Sequence, residues 1–413
     1  MATANAGGVC SGSTNKNEGA TSATGGKESG AKLEVIEIPQ RPCYGVYESF
    51  VAFQGSEDKK RRGVYYHGLK VNSKGEEMLF DEYICDPLYI DAGSCDSSDK
   101  NFGLLLRFIN QRRRWAKWLM PLDMLAGGCE ELRAELLGQG LKIDHHKRGH
   151  LPNYLQSQRP KKRLECALKV GWHGNVFVLP DQVIGRRDDI FFQTDHAVTA
   201  EYAQRGSLKD WQQHISRYCT GNAMLLFQAS VGFAGPLLYK CHIDYAGFHI
   251  WGDSFQGKST GHKIAGSIWG GEGFRKSWRA TSNGLEAAAV LYNDNLLALD
   301  EMGDSDAREV NQVIYALGNG TGKQRANVRG TARHVHKWRI VLLSNGEKTL
   351  ESHFQEKGLP VLKPGSPYAC CRSPYSGAMA RLTICMAWRT GGCFLIPYRK
   401  TQLTFTAWRA LLF

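Results

Sequence analysis

The stretch GFHIWGDSFQGKST, residues 247–260, constrains this chain more than any other. An apolar run, Phe248 to Trp251, leads into Gly252-Asp253-Ser254-Phe255-Gln256-Gly257-Lys258-Ser259-Thr260, which fits the pattern G-x-x-x-x-G-K-[ST]. A strand that turns through such a loop into a helix presents successive backbone N–H groups to a phosphate. The glycines permit backbone angles and a close approach that a Cβ blocks. Lys258 is placed to neutralise the outer phosphates, and Ser259 to offer its hydroxyl to Mg2+. Taken alone, the same pattern also fits an ordinary Gly-rich turn.

Two later segments extend the reading. Asn295-Leu-Leu-Ala-Leu-Asp300-Glu301 is a buried strand ending in two acids. Asp300 is expected to hold Mg2+ through water, and Glu301 to orient and deprotonate an attacking water. Trp338-Arg-Ile-Val-Leu-Leu-Ser344-Asn345 is a third strand, with Asn345 at the place of a γ-phosphate sensor. Their order and spacing predict an α/β P-loop fold with a parallel sheet that binds and hydrolyses ATP with Mg2+, Glu301 being the catalytic base. Between these strands an amphipathic helix from Asn311 ends at glycines and runs into a basic, Gly-rich segment. Lys323, Arg325 and Arg329 there either grip nucleic-acid phosphates in the pore of a ring ATPase or form a solvated basic turn.

The remainder of the chain divides by composition. Residues 1–31 are small and polar and predict a disordered leader. Residues 32–244 predict an α+β N-terminal domain. Alternating segments from LEVIEI to EEMLFDEYI read as antiparallel strands, and residues 101–158 as helical, including NFGLLLRFINQRRRWAKWLM. Arg112, Arg113, Arg114, Trp115, Lys117 and Trp118 then read as a solvated helix face over buried Trp, or as a contact to single-stranded nucleic acid. Residues 207–240 are helical again. The ATPase core is expected over 245–346. Histidines 145, 146 and 150 sit in a basic turn and are not read as a metal site. The twelve cysteines include no CxxC pair and read as reduced thiols of a cytoplasmic protein. No run of 18 apolar residues exists, so no membrane span is expected.

The charge is unevenly placed. The chain carries a net +12, and residues 357–413 contribute +8 of it, with eight Lys or Arg and no Asp or Glu. Residues 347–413 read as an atypical basic tail, either a nucleic-acid-binding extension or the product of a frameshifted gene end. The basic excess favours a polyanionic partner.

WGDSFQGKST, LYNDNLLALDEMGD, REVNQVIYALGNGTGKQRANVRGTAR and WRIVLLSNGE, with RPCYGVYESF, NFGLLLRFIN and ALKVGWHGNVFVLPDQVIG upstream, together resemble the bacterial family called domain of unknown function 927. The likeness is collinear over roughly residues 40–356. It implies a protein of prophages and integrative elements, found beside or fused to primase parts. The motif order is also similar to superfamily 3 helicases, which implies single-stranded DNA as partner and a homo-oligomeric ring. A non-translocating P-loop switch, or a remnant inactivated by its altered C-terminus, is the alternative. The family's further strand and acidic helix after Glu356 are absent. A fifth strand is needed to cover the open edge of the strand before Gly252, and 380–388 is the one segment that reads as a substitute.

Overall fold

The structure, a computed structural model, describes residues 34–54, 58–147, 149–194, 201–253, 256–322, 335–358, 370–372 and 381–387, the last two segments by backbone alone. The chain forms two compact units. One comprises Met1–Leu168 and Val178–Thr199; the other comprises Lys169–Phe177 and Ala200–Phe413.

The first unit is mostly β. Strands β1 (Glu34–Ile36) and β3 (Val51–Phe53) pair parallel, while β2 (Cys43–Tyr47), β4 (Gly63–Val71) and β5 (Glu77–Cys85) form an antiparallel sheet. Next come β6 (Leu88–Cys95), β7 (Gly103–Ile109) and β8 (Trp115–Pro121), then helices α1 (Glu130–Gly138) and α2 (His150–Ser157), then β9 (Arg163–Ala167). Three short strands follow in the chain: β10 (Gly171–His173) and most of β11 (Val176–Val178) fall in the second unit, and β12 (Val183–Ile184) falls in the first. With β13 (Ile190–Phe192), a second sheet takes the order β13-β9-β6-β7-β8.

Residues 103–121, which read as helix in sequence, are thus an antiparallel hairpin, Gly103 opposite Pro121 and Ile109 opposite Trp115. The cause is burial on both faces. Leu104, Leu106 and Phe108 enter a core with Leu132, Leu136, Leu151 and Tyr154 of α1 and α2, while Leu105 faces a second cluster with Ala92, Leu119 and Leu164. A strand buried on both sides is apolar without alternation and imitates helical spacing.

In the second unit, α3 (Leu208–His214) opens with Ser207 accepting from the Asp210 N–H. Helix α4 (Ala223–Lys240) opens on Asn222, whose side chain accepts from the Leu225 N–H. These helices read in sequence as part of the N-terminal region; they belong to the second unit, where α4 packs on the central strands. Pro236 inside α4 has no N–H, which frees the carbonyl one turn earlier. That carbonyl, of Gly232, accepts the Trp269 indole N–H at 2.7 Å.

The sheet of this unit is built from β14 (Tyr245–Trp251), β15 (Lys276–Ser277), β16 (Asn295–Asp300), β17 (Ile340–Gly346), β18 (Cys370–Arg372) and β19 (Arg381–Ala387). Its order is β15-β16-β17-β14-β19-β18. The first four strands run parallel and the last two pairings are antiparallel. Helices α5 (Lys258–Gly266), α6 (Ser282–Leu291), α7 (Ala307–Asn319) and α8 (Leu350–Gln355) complete the unit. Helix α7 is capped by the Asp306 carboxylate and ends at left-handed Gly320. Strand β19 lies against β14 from Tyr245–Ala387 to Trp251–Arg381, where the sequence calls for a strand from 380–388.

Candidate functional site

Three parallel strands deliver the sequence-predicted residues to one end of the sheet. Strand β17 lies between β14 and β16, with Leu299 opposite Ser344, Ile250 opposite Asn345 and Trp251 opposite Gly346. Asp300 and Glu301, Asn345, and Gly252 therefore leave neighbouring strands at the same edge. In a parallel α/β sheet this C-terminal edge is where ligands bind.

Gly252 follows β14 at φ 151°, and Gly257 precedes α5 in the left-handed region at φ 80°. A side chain at either position is strained, which is why glycines stand there. Lys258 folds back over the loop, and its ammonium donates to the Gly252 carbonyl at 2.7 Å and the Asp253 carbonyl at 2.6 Å. The Gln256 amide donates to the Asp253 carboxylate at 3.3 Å. Ser259 and Thr260 lie exposed in the first turn of α5. Ser254 and Phe255 lie outside the described residues, as do Lys323, Arg325 and Arg329.

On the acid side, Asp300 Oδ2 accepts from Arg275 Nη1 at 2.6 Å, in an ion pair that is mostly shielded from water. Asp300 Oδ1 is buried and has no hydrogen-bond partner among the described residues. Glu301 is exposed and left-handed, at φ 60° and ψ 61°. Its backbone N–H donates to the Asn345 side-chain oxygen at 3.0 Å, and Asn345 itself is buried.

A chain of buried hydrogen bonds fixes the end of β17. The Trp278 indole N–H donates to Ser344 Oγ at 2.9 Å. His249 Nε2 donates to the Lys348 carbonyl at 2.9 Å, because a carbonyl can only accept. Nδ1 is then the acceptor, and it receives the Ser344 hydroxyl at 3.0 Å. Burial pushes the imidazole pKa down to about 4, in keeping with this neutral tautomer. His262, on α5, is also fully buried and pushed down by burial, against the pull of the nearby Asp300 carboxylate.

Arg275, His249, His262 and Trp278 were not singled out in the sequence. Arg275 sits 25 residues before its partner in FRKSW, a segment with no motif of its own. His249 and His262 flank the glycine loop in sequence, and only that proximity marks them. In the first unit, His150 pairs with Glu82 at 3.0 Å, and Lys147 shares the same carboxylate.

The fold is mixed α/β with several sheets. The chain belongs to the family described as domain of unknown function (DUF927), whose profile matches residues 57–337. A solved structure described as an SCCmec type IV Cch active helicase is similar at 18% identity, with a TM-score of 0.49. The match covers 71% of this chain and 57% of that one. No curated protein matches the sequence. Among the described residues, no helix is long and apolar enough to cross a membrane.

Proposed function

We propose that this chain is a Mg2+-dependent ATPase that works on nucleic acid, a helicase-like protein of a mobile genetic element. The observation that carries the reading is the common strand edge of the Gly252–Ser259 loop, Asp300-Glu301 and Asn345. Those residue types at that edge suit a nucleoside triphosphate and its metal.

The donor set fits Mg2+. The orphaned Asp300 Oδ1 is a buried anionic acceptor in want of a partner, and hard oxygen ligands are what this ion takes. Ser259 and Asp300 would hold it, and when bound it neutralises charge on the phosphate oxygens. The loop amides and Lys258 bind and orient the triphosphate. Lys258 exchanges its two carbonyl acceptors for phosphate oxygens, a stronger charge-assisted pairing. Arg275 holds Asp300 in one orientation. Glu301 takes the proton from the attacking water, and Asn345 fixes the backbone from which that carboxylate projects.

The motor part of the reading rests on Lys323, Arg325 and Arg329. Replacing all three with Ala should weaken single-strand binding, flatten its salt dependence and abolish strand displacement, while basal ATP hydrolysis persists. Strand displacement at the wild-type rate in that variant would remove the segment from the motor, and a chain that hydrolyses ATP without displacing any strand would be a switch.

A further inference from the structure

The five-stranded sheet of the first unit has one face covered by α1 and α2. Its other face carries the buried cluster of Ala92, Leu105, Leu119 and Leu164, and further along β8 the exposed Trp115 and Lys117. Beyond that cluster the register brings Tyr89 of β6 opposite Arg107 of β7, and Arg107 opposite Lys117 of β8. The Arg107 guanidinium lies against two rings that also touch each other, 4.5 Å from the centre of Tyr89 and 4.6 Å from that of Trp115. Asp91 neutralises Arg107 at 2.8 Å, and the Tyr89 hydroxyl donates to Glu48. The rings are thereby held in place, and Trp115 is still 49% exposed.

The turn joining β7 to β8 adds charge. The Asn110 side-chain oxygen accepts the N–H groups of Arg112 and Arg114, each at 3.0 Å, and the Arg113 N–H donates to the Asn110 carbonyl. Arg113 is left-handed, at φ 58°. In a hairpin turn of this kind the position favours Gly or Asn, and an arginine there costs stability. Such strain points to a use for the side chain. Arg112, Arg113, Arg114 and Lys117 are exposed, and none has an ion pair among the described residues.

From this juxtaposition of a held, exposed indole with four unpaired cations, Lys117 on the sheet face and three arginines in the adjoining turn, we infer that the β6-β7-β8 face of the first unit and its β7–β8 turn bind single-stranded nucleic acid. A base stacks on Trp115, and the backbone runs along Arg112, Arg113, Arg114 and Lys117. Single strands fit because their bases are free to stack, whereas a duplex offers this surface only its phosphates. The surface belongs to the first unit and uses none of the residues assigned to ATP or to the motor segment, so the inference stands or falls independently of the proposed ATPase.

The test is fluorescence anisotropy of a labelled oligothymidylate with the full-length chain, without nucleotide, over a range of salt. Trp115→Ala should weaken binding by roughly 10-fold with the salt slope unchanged, and Trp115→Phe should restore most of it. Arg113→Gly should lower the slope by about 0.7 while leaving the melting temperature equal or higher, which separates lost phosphate contact from lost folding. The combined Arg112→Ala, Arg113→Gly, Arg114→Ala and Lys117→Ala variant should lower it by about 3. Wild-type affinity and slope in the Trp115→Ala and combined variants would overturn the inference. So would a duplex bound as tightly as the single strand.

Discussion

The Asn345 side-chain oxygen accepts the backbone N–H of Glu301 at 3.0 Å. This bond ties the ends of two neighbouring parallel strands, and it holds a left-handed glutamate in a conformation that glycine would adopt at less cost. The strain falls on the residue assigned to activate water, and the residue that holds it in place is the one assigned to sense the γ-phosphate. In the proposed reaction Asn345 is therefore a positioning residue for Glu301.

Asn345→Ala should leave Mg-ATP affinity within a few-fold of wild type and reduce turnover by roughly 100-fold, the scale of losing one positioned base. Asn345→Asp keeps an oxygen acceptor and should recover part of the loss. Steady-state hydrolysis of both variants, beside calorimetric ATP affinity, checks this. Equal turnover in Asn345→Ala would detach Asn345 from Glu301.

The buried histidines make stability depend on pH. His249 has its pKa lowered from 6.5 to about 4, and His262 shifts the same way. The unfolded chain therefore binds more protons below pH 6.5. The stability from keeping these rings neutral is complete above that pH and is lost as pH falls toward 4. For His249 the loss is on the order of 3 kcal/mol. Urea titrations at pH 7.0, 5.5 and 4.5 should show the fall, and His249→Gln should flatten it. A fall of the same depth in that variant would contradict the assignment.

Close packing of α4 on β16 depends on Gly235. A Cβ there would lie 2.4 Å from the Asn295 Cα, a backbone atom that cannot swing aside. Gly235→Ala should cost about 3 kcal/mol through overpacking. Gly138, at the end of α1, has open space around it. Gly138→Ala should stabilise by about 0.5 kcal/mol. Chemical denaturation of the pair makes the comparison.

The C-terminal segment is the next test. Strand β19 pairs with all seven residues of β14. Ending the chain after Gly358 bares that edge, and the truncated protein should melt lower and aggregate. Unchanged melting and solubility would mean that β19 contributes nothing to the sheet. The frameshift reading has its own check, since the other reading frame past codon 356 should then encode an acidic helical continuation.

The elements that carry the candidate site were largely legible because their signals are local. Strand, glycine loop and helix are contiguous at 248–266, and acids after an apolar run mark Asp300 and Glu301 without knowledge of any partner. In the tail, 380–388 is the one segment with a strand period, yet the acid-free composition around it reads as a tail without a proper fifth strand; β19 instead pairs antiparallel with β14 along its length. The failures share one cause. Whether residues 103–121 are helix or hairpin depends on which faces of Leu104, Leu105 and Leu106 are buried, and that is set by α1, α2 and β9 far along the chain. The membership of α4 depends on Gly235 meeting Asn295, 60 residues away. The Arg275–Asp300 pair is likewise a product of tertiary packing.

The central claim is that the loop from Gly252 to Ser259 binds the phosphates of ATP, and calorimetry with Mg-ATP tests it most directly. The wild-type chain and Glu301→Gln should bind with similar affinity, Glu301→Gln without turnover, and Lys258→Ala should show no heat of binding. A wild-type chain that does not bind Mg-ATP, or a Lys258→Ala variant that binds it as tightly as wild type, would contradict the account.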